Sequence, residues 1–156
     1  MYTLTRYSAV ALFGLWSFAS IVAAEDWPTW RHDAGRTNIS AEKIPVPLRL
    51  QWKRQLPPVK PAFRKSRLQF DQGYEPIVLG DKMFVAVPHI DAVVAYAVET
   101  GKEKWRFYTA GPVRLAPVAW RDKLYFGSDD GYAYCVDAKT GEQLWSTTVK
   151  TGKPPM

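Results

Sequence analysis

Two stretches of this 156-residue chain repeat one another, and that repeat limits what the chain can fold into more than any other feature. Residues 75–111 read EPIVLGDKMFVAVPHIDAVVAYAVETGKEKWRFYTAG, and residues 116–152 read APVAWRDKLYFGSDDGYAYCVDAKTGEQLWSTTVKTG. Pro76 matches Pro117, and Asp81-Lys82 matches Asp122-Lys123, at an offset of 41. Thr100-Gly101 matches Thr140-Gly141, and Trp105 matches Trp145, at an offset of 40. The one-residue slip falls between Pro88 and Asp91, against Asp129–Gly131 in the second copy, where a turn absorbs it. A unit of about 40 residues cannot bury its apolar face alone, so it stacks on its neighbours.

Each unit reads as four short strands. The alternation predicts them at about 75–79, 82–88, 92–98 and 103–109, then at about 116–120, 123–128, 132–138 and 143–149. Met83, Val85 and Val87, then Val93, Ala95 and Ala97, keep the two-residue period of a strand. Gly80-Asp81, Arg121-Asp122 and Asp129-Asp130-Gly131 supply turn chemistry. In E-T-G-K and K-T-G-E, Gly101 and Gly141 fall where a hairpin needs a left-handed residue. Four-stranded units at this spacing predict an all-β propeller built from antiparallel blades.

The sharpest shared motif is small-x-x-x-x-T-G-x-x-x-W. It runs from Ala95 through Thr100 and Gly101 to Trp105, and from Cys135 through Asp137, Thr140 and Gly141 to Trp145. It resembles the tryptophan-docking motif of the PQQ-like (quinoprotein-type) β-propeller repeat family. The resemblance implies that each Trp stacks over the neighbouring blade's T-G turn and that the small residue makes room for it. An indole suits that task, because it buries a large apolar area while its N–H keeps one partner. The first copy departs at Ala97, where the second has Asp137, and so lacks a turn-capping carboxylate. Leu48–Lys53 resembles the last strand of a blade, with Trp52 equivalent to Trp105, and the resemblance makes residues 48–56 a strand that closes the final blade. Glu25–Ser40 is similar to an N-terminal stretch of secreted members, in which Trp27 and Trp30 are expected to pack against a blade.

Residues 1–24 carry one charge, Arg6, then an apolar run from Ala9 to Val22 and the small residues Val22-Ala23-Ala24. That is the pattern of a secretory signal peptide, which predicts export to the periplasm or beyond. The uncharged stretch Tyr7–Ala24 only just reaches spanning length, and Gly14 and three Ser within it favour the cleaved leader over a membrane helix. No Cys follows to take a lipid. The single Cys excludes a disulfide framework and a Cys-based zinc or iron–sulfur site.

Residues 25–47 form an extension, 75–111 blade one, 112–152 blade two, and 153–156 the start of a link. Trp105 to Pro117 is 12 residues, so a third blade is expected near position 157. Two blades and a closing strand do not make a ring of 4–8 blades. The expectation is therefore the N-terminal part of a ring of seven or eight blades. A short protein that closes its ring by oligomerising is the alternative.

The net charge of +6 is concentrated in one place. Trp52 to Pro76 is 24 residues, twice the equivalent link, which makes 57–74 a Pro-rich insertion on one rim. Between Arg49 and Arg67 lie seven bases and no acid; without these and Arg6, 13 bases face 15 acids. Lys60, Arg64, Lys65 and Arg67 are candidates to contact an anionic partner such as a membrane surface, polysaccharide or acidic protein, against a plain solvated loop. Nucleic acid does not suit an exported chain. His32 and His89 have no metal-ligand spacing, Asp129-Asp130 reads first as a turn, Cys135 as buried and inert, and Ser128 has no base beside it. No catalytic constellation and no cofactor are expected from these residues. The resemblance leaves two functions open: a non-catalytic binding or assembly scaffold, as in the propeller subunit of the outer-membrane β-barrel assembly machinery, or the start of a quinoprotein dehydrogenase. Only the second would use PQQ and calcium.

Overall fold

The computed structural model describes residues 25–44, 46–59 and 73–148. The leader at 1–24, the link at 153–156, and Lys60, Arg64, Lys65 and Arg67 of the insertion lie outside the described residues. Two four-stranded antiparallel sheets make up the fold. The first is β1 (Ile77–Leu79), β2 (Lys82–Val87), β3 (Ala92–Ala97) and β4 (Glu103–Tyr108), and the second is β5 (Val118–Trp120), β6 (Lys123–Gly127), β7 (Tyr132–Asp137) and β8 (Gln143–Thr148). Each sheet is a meander in chain order. The fold class read from the sequence is the one observed.

Local chemistry accounts for the hairpins. Gly80 and Arg121 turn at φ 58° and 56° after β1 and β5. The slip in the repeat is a 3₁₀ turn at Pro88–Ile90, which closes through a left-handed Asp91 (φ 52°), whereas the second copy turns through Gly131 (φ 87°). Both copies bulge one residue past the small residue of the motif, at Ala95/Tyr96 and at Cys135/Val136. In both, the T-G turn closes with the same pair of backbone bonds. Gly101 donates to the Ala97 carbonyl and Ala97 to that of Lys102; Gly141 donates to Asp137 and Asp137 to Glu142.

The main core lies between the sheets. Ile77, Phe84, Ala86, Val93 and Ala95 from the first meet Ala119, Leu124, Phe126, Val136 and Ala138 from the second, with Trp105, Phe107 and Tyr134 at its margin. Burying a residue such as Phe84 or Leu124 contributes about 1.5–3 kcal/mol each. A smaller cluster, Val85, Val87, Ala92, Val94 and Tyr96, occupies the back of the first sheet and is covered by Leu56, Tyr74, Met83 and Ile90.

Residues 48–56 form no ladder among the described residues. The segment lies against blade one as a strap: the Trp52 indole donates to the Val98 carbonyl, Arg54 donates to that of Gly101, and Leu56 packs on the cluster behind the first sheet. The extension is anchored at the sheets' nearest approach, along β1 and β5. Trp27 exchanges two backbone bonds with Val78, Asp26 accepts the Gly80 N–H at 2.6 Å, and Pro28 accepts that of Ala119 at 2.7 Å.

Candidate functional site

The residues of the shared motif come together as seams. At the first seam Trp52 lies on the Thr100-Gly101 turn, and a Cβ built on Gly101 would stand 2.7 Å from the indole Cε3. The Trp52 indole N–H donates to the Val98 carbonyl at 2.7 Å. At the second seam the same relation joins the blades: a Cβ on Gly141 would stand 2.7 Å from Trp105 Cδ2, and the Trp105 indole N–H donates to Ala138 O at 3.2 Å. Gly101 and Gly141 sit at φ 64° and 77°, so both the conformation and the space demand glycine. Ala95 pairs directly opposite Trp105 and is fully buried, and Cys135 stands in the same relation to Trp145. Trp105 also tilts against Phe84, with ring centroids 5.6 Å apart.

Asp137 and Thr140 hold the second turn. One Asp137 oxygen accepts the N–H groups of Lys139 and Thr140, each at 2.8 Å, and the Thr140 hydroxyl at 3.2 Å. These bonds, led by the Thr140 N–H, hold its carboxyl below the usual range. In the first turn Ala97 offers no such group, and Thr100 Oγ1 accepts the Lys102 N–H at 3.3 Å.

Among the described residues Trp145 meets no T-G turn. It is 45% exposed and leans on Tyr125, and with Val118 and the 56%-exposed Trp120 it forms an open face on blade two. The offset places Val118, Trp120, Tyr125 and Trp145 where blade one has Ile77, Leu79, Phe84 and Trp105, all of which pack on blade two.

Three features were not read from the sequence. Arg54 donates to the Gly101 carbonyl at 3.0 Å, covers the Tyr96 ring at 4.3 Å and stands 3.8 Å from Glu103, so one base of the cationic stretch secures the strap. Its place two residues beyond Trp52, on the same side of an extended chain, is the signal that marks it. Asp130 accepts from Ala110, Tyr132 and the Tyr134 hydroxyl, and Asp129 pairs with Arg114 at 2.6 Å, so the Asp-Asp-Gly turn also ties the two blades together. Burial and the bond to Asp130 push the Tyr134 hydroxyl up to about 12. His32 lies 3.2 Å from Glu25 and 4.8 Å, ring to ring, from Trp27. Among the described residues no three His, Cys, Asp or Glu side chains group to hold a metal, so these residues do not fit a calcium site. Trp27 is partly buried at the blade edge, but Trp30 stays exposed under Arg31 and Arg36 and lines a cleft of about 650 Å³ with Asp33, Glu75 and Val118.

Seams of this kind define a PQQ-like propeller, and comparison with known proteins agrees. The family model described as Outer membrane protein assembly factor BamB matches residues 21–156, and the chain belongs to this PQQ-like repeat family. It is 30% identical over 141 residues to the polyvinylalcohol dehydrogenase of Sphingopyxis sp. (strain 113P3), covering 81% of this chain and 19% of that protein. It is 30% identical over 97 residues to the quinohemoprotein alcohol dehydrogenase ADH-IIG of Pseudomonas putida, covering 54% and 13%. The solved quinohemoprotein alcohol dehydrogenase of Comamonas testosteroni shares the fold, with a TM-score of 0.54 at 21% identity over 83% of this chain and 20% of that one. The chain thus spans a fifth or less of the length of these relatives.

Proposed function

We propose that the chain is a section of an exported PQQ-like propeller that serves as a non-catalytic binding or assembly scaffold. What supports this reading is the family model described as an outer membrane protein assembly factor, which matches residues 21–156. Residues 48–56 and the basic insertion at 57–74 then offer a rim, with Lys60, Arg64, Lys65 and Arg67 available to an anionic partner. The apolar leader at 1–24 supports export. Reconstitution with PQQ and calcium, followed by a dye-reduction assay with alcohols, tests the scaffold reading. No turnover is expected, and robust dye reduction overturns it.

One observation favours a second reading, the N-terminal part of a quinoprotein dehydrogenase oxidising alcohols or sugars. The relatives matched at 30% identity are named as dehydrogenases. In that case PQQ and calcium supply the redox chemistry, and residues beyond those described hold them. The present residues contribute the blade seams alone.

A further inference from the structure

Glu25 follows directly on the small residues Val22-Ala23-Ala24, and both its main chain and its side chain are held. Its backbone N–H donates to Glu42 Oε2 at 3.2 Å. Its carboxylate accepts the Ser40 hydroxyl and lies 3.2 Å from His32 Nε2. Ser40 Oγ in turn accepts the Glu42 N–H at 3.0 Å, so residues 25, 40 and 42 close a ring of hydrogen bonds. Arg31 and His32 are both left-handed, at φ 61° and 78°, a strained conformation for residues other than glycine. In that conformation the imidazole meets both Glu25 and the Trp27 ring.

This ring has the chemistry that a chain terminus needs. In an uninterrupted chain the Glu25 nitrogen is a neutral amide with one proton to donate. Hydrolysis of the Ala24–Glu25 bond adds water across it, leaving a carboxylate on Ala24 and an α-ammonium on Glu25. The cation then stands where the amide stood, 3.2 Å from the Glu42 carboxylate, and a hydrogen bond becomes an ion pair. The Ser40 bond foremost holds the Glu25 carboxyl below the usual range, so a second negative charge stands beside the new cation. His32 bridges Glu25 and Asp33 at 3.2 and 3.7 Å, and Asp26 is engaged with the Gly80 N–H. Ala24 and Val22 are the small residues one and three positions before the bond, the pattern that a leader-cleaving peptidase accepts.

We propose that Ala24–Glu25 is the bond cut on export, and that the α-ammonium so released is seated on Glu42. The inference rests on the export reading above and adds to it which bond breaks and where the new terminus goes. The seat lies one residue ahead of the contacts that fasten the extension to the blades. Asp26 accepts the Gly80 N–H at 2.6 Å, and Trp27 exchanges two backbone bonds with Val78. A terminus pinned at Glu25 leaves an exopeptidase no loose end from which to reach Asp26.

The test expresses the full chain in an exporting bacterial host and reads the purified protein's intact mass and N-terminal sequence. The chain should begin at Glu25. A terminus at any other residue overturns the proposal and leaves export standing, whereas a chain that keeps its leader overturns both. The pH dependence of α-amine acetylation, followed on the N-terminal peptide by mass spectrometry, then reads the seat. An unpaired α-amine titrates at about 7.7–8.0, and an exposed ion pair should raise that by roughly half a pH unit. Glu42 is exposed, so Glu42→Gln keeps the fold; it should return the amine to the ordinary range and let an aminopeptidase remove Glu25 severalfold faster. Equal titration in wild type and Glu42→Gln overturns the seat, even in a chain that is exported and cut at Glu25.

Discussion

Gly141→Ala measures what the seam contributes, because the chain carries its own controls. Gly141 (φ 77°) and Gly131 (φ 87°) are both left-handed, and a side chain at either is strained by about 1–2 kcal/mol. At Gly131 a Cβ meets nothing within 4 Å, so Gly131→Ala should cost only that strain. At Gly141 the Cβ would press to 2.7 Å on Trp105 Cδ2 and 2.8 Å on Cε3. The indole is held by its bond to Ala138 O and by Phe84 behind it, so it cannot swing clear without losing both. Forcing a methyl into such a packed contact costs about 1–3 kcal/mol more, for a total near 3–4 kcal/mol against about 1–2 for the control. Chemical denaturation followed by far-UV circular dichroism reads the difference. In thermal melts the extra 2 kcal/mol or so should lower the Tm of Gly141→Ala by about 10 °C beyond Gly131→Ala. Gly127→Ala, with no left-handed φ and open space around it, should cost nothing. If Gly141→Ala and Gly131→Ala lie within about 0.5 kcal/mol of each other, the seam is a loose contact and the docking argument fails.

Other outcomes follow from the same geometry. Asp137→Ala should lose about 1 kcal/mol at pH 7, since three donors lose their acceptor. Because the carboxyl's native pKa is lowered, that contribution is present above the unfolded carboxylate range near 4 and disappears as pH falls through the native value, so mutant and wild-type denaturation midpoints should converge as the pH is taken down below that range. Ala97→Asp should gain up to about 1 kcal/mol in blade one by the same bonds, read as a higher denaturation midpoint. Cys135 is fully buried and should resist a thiol reagent in the native state, while Trp145→Ala uncovers it and should raise its labelling rate at least tenfold. Arg54→Lys keeps the charge but not the planar group over Tyr96, and should raise protease cleavage within 48–58 severalfold without moving the global midpoint.

The blades were legible because two signals coincided. The period-2 runs gave strands, and the paired T-G and Trp positions fixed their register against each other, so even the odd residue at Pro88–Asp91 was localised to a turn. The motif residues were legible for the same reason, since a glycine that must be left-handed and an indole that must be covered leave few places to stand. Arg54 was hidden because composition grouped it with solvated bases, whereas its guanidinium is held by a carbonyl and a ring that lie about 45 residues away in sequence. The Asp130 contacts to Ala110 and Tyr134 were hidden because D-D-G satisfies a turn signal completely, and nothing local says that its carboxylate also reaches the neighbouring link. Trp27 and Trp30 read alike in sequence, yet only Trp27 bonds through its backbone to a strand edge.

That last difference shows what the extension does physically. A stacked-repeat protein is as stable as the junctions between its units, because each unit meets only its neighbours. Here the junction between the two described blades is braced at one end by chain from outside the repeats. Along β1 and β5, residues 26–28 bond to Val78 and Gly80 of one blade and to Ala119 of the next, so parting the blades there breaks backbone bonds as well as apolar contact. The strap, with Trp52 and Arg54, instead holds the T-G turn and back of blade one, away from that junction. Among the described residues blade two has no such brace on its front, where Val118, Trp120 and Trp145 are exposed. Stability should therefore grade along the chain, with amides of β2 and β3 exchanging slowest and those of β8 fastest, since every residue of β8 is exposed and every residue of β3 is buried. Hydrogen exchange that is uniform across the two blades would mean that the junction, and not the open face, sets the stability of the pair.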